Sequence, residues 1–187
     1  MNLPNKLTVL RILMVPFFVL FLLVDSIPFH YLLALIFFAV ASFTDCLDGY
    51  LARKHHLVTN FGKFLDPLAD KVLVLSAMIA FIELGLSSSV VVIIVIAREF
   101  LVTSLRLVAA GEGTVIAASI YGKIKTISQM FSIVAILLLE AVNEIVPLSG
   151  VDIPLISNIL MWITAVIAVI SGIDYLWKNR HCINTTK

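Results

Sequence analysis

The sequence predicts an all-α integral membrane protein, a bundle of six transmembrane helices, and three observations lead there. Of its 187 residues 61% are hydrophobic and only 13% charged, against about 45–50% apolar and about 25% charged in soluble domains. Disorder, a disulfide scaffold and a water-soluble globule are thereby excluded. Six apolar runs recur along the chain, each of the order of the roughly 20 helical residues that cross a hydrocarbon core of about 30 Å. Lysines and arginines gather at alternate breaks between the runs, as residues that resist translocation do.

The first run, Leu7 to Val24, follows a polar start with Pro4 that has room for a brief interfacial turn, and with no small-residue cleavage site behind it the run is expected to stay as an anchor. Past Asp25-Ser26-Ile27-Pro28 the second run, Tyr31 to Phe43, continues as a more polar helix to Ala52. The third spans Leu65 to Leu84, with Pro67 acceptable in a first helical turn. Gly85 to Ser89 separates it from the fourth, Val90 to Ala110, and Gly111-Glu112-Gly113 leads on to the fifth, Ile124 to Leu139. Asn143 to Pro147 with Gly150 precedes the sixth, Leu155 to Ile170, and the tail turns polar after Gly172. All are expected as helices because lipid offers an open strand no hydrogen-bond partners. Without repeats or low-complexity segments, 1–187 reads as one domain.

Lys6, Arg11, Arg53, Lys54, Lys63, Lys71, Lys123, Lys125, Lys178, Arg180 and Lys187 fall at one set of helix ends. The opposite connections hold Asp25, His30, Glu83, Glu140, Glu144 and Asp152, with no lysine or arginine. A multi-pass chain with both termini cytoplasmic follows. The formal charge of +1 gives no reason to expect a nucleic-acid partner, and Cys46 and Cys182 offer neither zinc spacing nor a disulfide framework.

The chemistry concentrates between the second and third runs. Asp45 and Asp48 stand three apart, Asp66 and Asp70 four apart, and each spacing puts its pair on one helix face. Antiparallel neighbours joined by a short connection let the two faces confront each other. Four anions beside a low-dielectric layer repel one another and call for positive charge. Hard oxygen ligands with little His or Cys suit Mg²⁺, Mn²⁺ or Ca²⁺, and a two-metal site serves phosphoryl transfer. Gly49 and Ala52 leave a shallow strip where a nucleotide can approach, Arg53 adds a planar donor fork for phosphate, and Gly62 frees the backbone where the chain re-enters the membrane.

Asp45 to Asp70 carries the pattern D-x2-D-G-x2-A-R-x8-G-x3-D-x3-D, and in it the chain resembles the CDP-alcohol phosphatidyltransferases. Leu3-Pro4-Asn5-Lys6-Leu7-Thr8 with Arg11, Asn60 to Lys71, Arg98-Glu99-Phe100 with Arg106, and Gly122-Lys123-Ile124-Lys125-Thr126 extend the likeness to bacterial members that use glycerol 3-phosphate. The resemblance implies that Asp45, Asp48, Asp66 and Asp70 hold two divalent cations, Mg²⁺ or Mn²⁺, with Asp70 also the general base. It implies that Asn5, Thr8, Arg11, Gly49, Ala52, Arg53 and Gly62 surround the CDP group of CDP-diacylglycerol. It further implies six helices around a cytoplasm-facing polar active-site cavity, assembled as a homodimer among the lipids of a bacterial cytoplasmic membrane. The implied reaction joins the phosphatidyl group to the primary hydroxyl of sn-glycerol 3-phosphate, giving phosphatidylglycerol phosphate and CMP. Such an acceptor is a dianion, and Arg98, Arg106, Lys123 and Lys125 are the cations assigned to its phosphate.

Plainer readings stand beside these. Arg98 with Glu99 is also a candidate structural ion pair, and Lys123 and Lys125 are also ordinary inner-face anchors. His55 and His56 read as a hydrated loop, Cys46 as packing, and Trp162, Trp177, Tyr31 and Tyr175 as interface or packing aromatics. Rival functions are the same transfer to inositol phosphate or serine, a metal-dependent prenyl transfer, and divalent-cation transport.

Overall fold

In the computed structural model the described backbone comprises residues 3–54, 60–111, 113, 116–117 and 119–180, and within it the side chains of 3–4, 46–54, 60–64, 66–67 and 70 lie outside the description. Six helices are found there: α1 (Leu3–Leu23), α2 (His30–Lys54), α3 (Asn60–Glu83), α4 (Ser89–Gly111), α5 (Ile120–Ile145) and α6 (Ile153–Lys178). Each coincides with an apolar run, and the differences are at the ends. α1 begins at Leu3 rather than after a separate turn, because Pro4 falls in the first helical turn, where its missing N–H is no loss. α3 starts at Asn60, so Pro67 is its eighth residue and not part of its first turn. α6 runs on through Gly172 to Lys178, helped by the Asp174–Lys178 pair at 2.7 Å, one helical turn apart, and by a lysine at the negative end of the helix dipole.

Among the described residues three helices, α1 over Asn5–Leu23, α5 and α6, are long and apolar enough to cross a membrane. In α2 the apolar stretch is shorter, His30–Asp45, and α4 carries Arg98, Glu99 and Arg106 within its length. Gly85 closes α3 with φ +71°, a left-handed helix stop that residues with a Cβ adopt only under strain.

The chain forms two compact units, Met1–Leu84 with Ile133–Ile153, and Gly85–Ser132 with Pro154–Lys187. In the first, α1 packs against both α2 and α3. Its buried stripe is Asn5, Thr8, Arg11, Val15, Phe18 and Leu22, at steps of three or four residues. The upper half meets α2 through aromatic rings, Phe18 with Phe38 at 5.5 Å, Phe17 with Phe37 at 6.3 Å and Phe21 with Phe37 at 5.0 Å. Between lipid-facing helices such contacts stabilise through packing more than through exclusion of water. In the second unit the buried stripe of α4 is Val91, Val92, Val95, Val102, Leu105 and Ala109. Tyr175 of α6 seals its far end against Val102, Leu105 and Ala109.

Candidate functional site

In the first unit the stripe of α1 changes character. Val15, Phe18 and Leu22 are apolar, whereas Arg11, Thr8 and Asn5, toward the helix start, are polar and just as buried. Arg11 is 0% exposed and its Nη1 donates to Asp45 Oδ1 at 2.7 Å. A buried guanidinium needs such a partner, since an unneutralised cation in low dielectric costs several kcal/mol, about the scale that favours pairing. The Asp45 side chain keeps 46% of its surface exposed. α2 changes in the same way, from Ala34, Phe38 and Ala41 to buried Thr44 and then Asp45.

The ring pairs and the Arg11–Asp45 pair share one antiparallel register. Carried toward the start of α1, that register sets Thr8 level with residue 48 and Asn5 level with residue 51 of the α2 backbone. The N-terminal segment and the acidic motif, far apart in sequence, therefore meet. The side chains of Asp48, Gly49, Ala52, Arg53, Gly62, Asp66 and Asp70 lie outside the described residues. Among the described residues no group of three or more metal-ligating side chains comes together. The described member of the expected quartet, Asp45, is a hard oxygen donor that gives one oxygen to Arg11, and a carboxylate has lone pairs for further partners.

The second unit assembles most of the cationic residues expected to meet the acceptor. Arg98 Nη1 and Lys125 Nζ both donate to Glu99 Oε1, at 2.8 and 2.6 Å. Arg98 Nη2 donates to Ser171 Oγ at 2.6 Å, and Arg98 Nε is buried without a partner among the described residues. Gly172 makes room for this side chain, since a Cβ there would lie 3.1 Å from Arg98 Cγ. Arg106 Nε donates to the Tyr175 hydroxyl at 2.9 Å, with the guanidinium carbon 5.4 Å from that ring's centre. Lys125 is 4% exposed, while Lys123 faces outward. Glu99, Ser171 and Tyr175 were not assigned to the site from sequence. Glu99 stands in the Arg98-Glu99-Phe100 stretch and as an ion-pair candidate only, and the signal at Ser171 and Tyr175 is polar spacing one turn apart on α6. A cavity of about 640 Å³ reaches Tyr175, the partner of Arg106, and is lined also by Ser119, Tyr121, Ile124 and Lys178.

A family model described as CDP-alcohol phosphatidyltransferase matches residues 1–170. The chain is 44% identical to a CDP-diacylglycerol–glycerol-3-phosphate 3-phosphatidyltransferase of Bacillus subtilis, over 99% of this chain and 98% of that one. Proteins of the same name from Haemophilus influenzae and Rickettsia bellii are 39% and 38% identical, covering 94% and 93% of this chain and 91% and 93% of their own.

Proposed function

The chain belongs to the CDP-alcohol phosphatidyltransferase family, and from that premise we propose that it transfers the phosphatidyl group of CDP-diacylglycerol to the primary hydroxyl of sn-glycerol 3-phosphate. Phosphatidylglycerol phosphate forms and CMP leaves. The observation that carries this reading is 44% identity to the Bacillus subtilis transferase across 99% of the chain. The Asp45 to Asp70 pattern supplies the chemistry that such a transfer needs.

Asp45, Asp48, Asp66 and Asp70 would hold two divalent cations, Mg²⁺ or Mn²⁺, which supply neutralisation of the pyrophosphate and a more acidic acceptor hydroxyl. An all-carboxylate donor set fits such hard ions, and Asp45, with Oδ1 on Arg11 and nearly half its side chain exposed, fits among them. Asp70 takes the proton of the acceptor hydroxyl, whose oxygen attacks the β-phosphorus of the donor while the bond to CMP breaks. Asn5, Thr8, Arg11, Gly49, Ala52, Arg53 and Gly62 hold the CDP group, and Arg98, Arg106, Lys123 and Lys125 receive the acceptor phosphate. The protein works as a homodimer with six spans, both termini in the cytoplasm and the site at the cytoplasmic face of a bacterial cytoplasmic membrane.

The test is CMP release by purified protein in detergent, with glycerol 3-phosphate, inositol phosphate and serine added singly and Mg²⁺ or Mn²⁺ varied. Release is expected with glycerol 3-phosphate and a divalent ion, and to stop on chelation. Release with another acceptor alone reassigns the substrate, and metal uptake into vesicles without any CMP release overturns the transferase reading.

A further inference from the structure

We propose that Glu99 is a positioning residue for the acceptor's phosphate: its carboxylate holds Arg98 and Lys125 together as a preset pair of cations. The inference rests on the reading of the chain as a transferase to glycerol 3-phosphate and deepens it, since Glu99 was counted there as no part of the machinery.

One oxygen, Glu99 Oε1, accepts from Arg98 Nη1 at 2.8 Å and from Lys125 Nζ at 2.6 Å. Two like charges so close repel each other unless an anion sits between them. Arg98 is then fixed a second time by Ser171 Oγ at 2.6 Å, and its stem is confined by the Gly172 backbone, where an added Cβ would stand 3.1 Å from Cγ. α4, α5 and α6 each contribute to this arrangement.

A structural ion pair needs one cation and one anion. Here one carboxylate oxygen serves two cations, Arg98 of α4 and Lys125 of α5, inside apolar helices. Charged side chains placed inside apolar helices mark a ligand site, and a phosphate dianion is a ligand that two neighbouring cations suit. Arg98 Nε, buried and without a partner among the described residues, is a donor of the right kind for a phosphate oxygen. The carboxylate itself is a poor neighbour for a phosphate. Its value is geometric: it holds both cations where the arriving anion finds them already oriented, so that binding does not have to gather them.

The experiment measures steady-state CMP release for Glu99→Gln and Glu99→Asp, varying glycerol 3-phosphate and CDP-diacylglycerol separately. Glu99→Gln is expected to raise the acceptor KM about tenfold or more, with the donor KM and kcat within about threefold of wild type. Glu99→Asp, which keeps the charge, is expected to recover part of the loss. An acceptor KM within about twofold of wild type in Glu99→Gln, or a fall in it, overturns the proposal, as does a parallel loss in donor KM and kcat that Glu99→Asp does not relieve. Should Glu99→Gln not accumulate as folded protein, Glu99→Asp decides: an acceptor-specific rise of about threefold supports the proposal and no acceptor-specific change overturns it. Wild-type protein that releases no CMP with glycerol 3-phosphate sinks the transferase reading itself, a result distinct from any of these.

Discussion

Arg11 shows how one side chain can link stability to chemistry. It is fully buried on α1 and answered by Asp45 on α2, so Asp45 has a structural duty besides the metal-binding one proposed for it. Asp45→Asn is therefore expected to lower folded yield, donor affinity and metal response together, because the neutral amide removes a carboxylate charge that answers the buried guanidinium. Asp70→Asn is expected to behave differently: turnover falls by about 10²-fold or more, the usual scale of a lost general base, while CDP-diacylglycerol binding, measured at equilibrium, persists. Near-wild-type turnover in Asp70→Asn would assign the base elsewhere. Arg106, held by the Tyr175 hydroxyl, lies on the acceptor side of the proposal. Arg106→Ala should raise the KM for glycerol 3-phosphate several-fold more than that for the lipid, and equal changes would make it a packing residue.

At the scale of helices, the start of α2 depends on a residue more than a hundred positions away. The Glu144 carboxylate accepts from the backbone N–H groups of His30 and Tyr31, at 3.1 and 3.3 Å, so a side chain from α5 caps α2 where its own sequence has no acidic residue in the first turn. Glu144→Ala is expected to lower the thermal midpoint in detergent by a few degrees, about the effect of 1 kcal/mol, with CMP release little changed. An unaltered midpoint would show that water caps α2 as well. That contact marks the limit of what was legible in the sequence. The six helices and their order are local matters of hydropathy and spacing, and they could be read directly. The polar start of α1 and the tail of α6 were cut short because hydropathy falls there, although polar residues on a buried stripe, such as Asn5 and Thr8, keep a helix as well as apolar ones do. Arg98 with Ser171, Arg106 with Tyr175 and Glu144 with α2 join segments that no periodicity connects. They depend on which helices pack together.

For the whole molecule the open contrast is between six crossings and three. α1, α5 and α6 cross on length and composition, whereas a charge at the centre of a span costs about 2.5–3.5 kcal/mol, more than several valines or isoleucines offset at about 0.3–0.6 kcal/mol each. α4 escapes part of that cost because Glu99 neutralises one of the cations that meet it, which lowers the barrier to a crossing by this helix. The two arrangements differ in where particular residues lie. In a chain whose Cys46 and Cys182 are replaced by serine, single cysteines are introduced as Ser26→Cys, Ala117→Cys, Ser149→Cys and Arg180→Cys, each at an exposed position outside a helix interior, and intact cells are treated with a membrane-impermeant maleimide. Six spans with cytoplasmic termini place Ser26 and Ser149 outside and Ala117 and Arg180 inside, so only the first two are expected to label before permeabilisation. With α1, α5 and α6 as the only crossings and the same cytoplasmic N-terminus, Ala117 and Arg180 would label from outside and Ser149 would not. That pattern would remove α2, α3 and α4 from the membrane, and with them the physical reason for gathering the acids and bases of the site at its inner face.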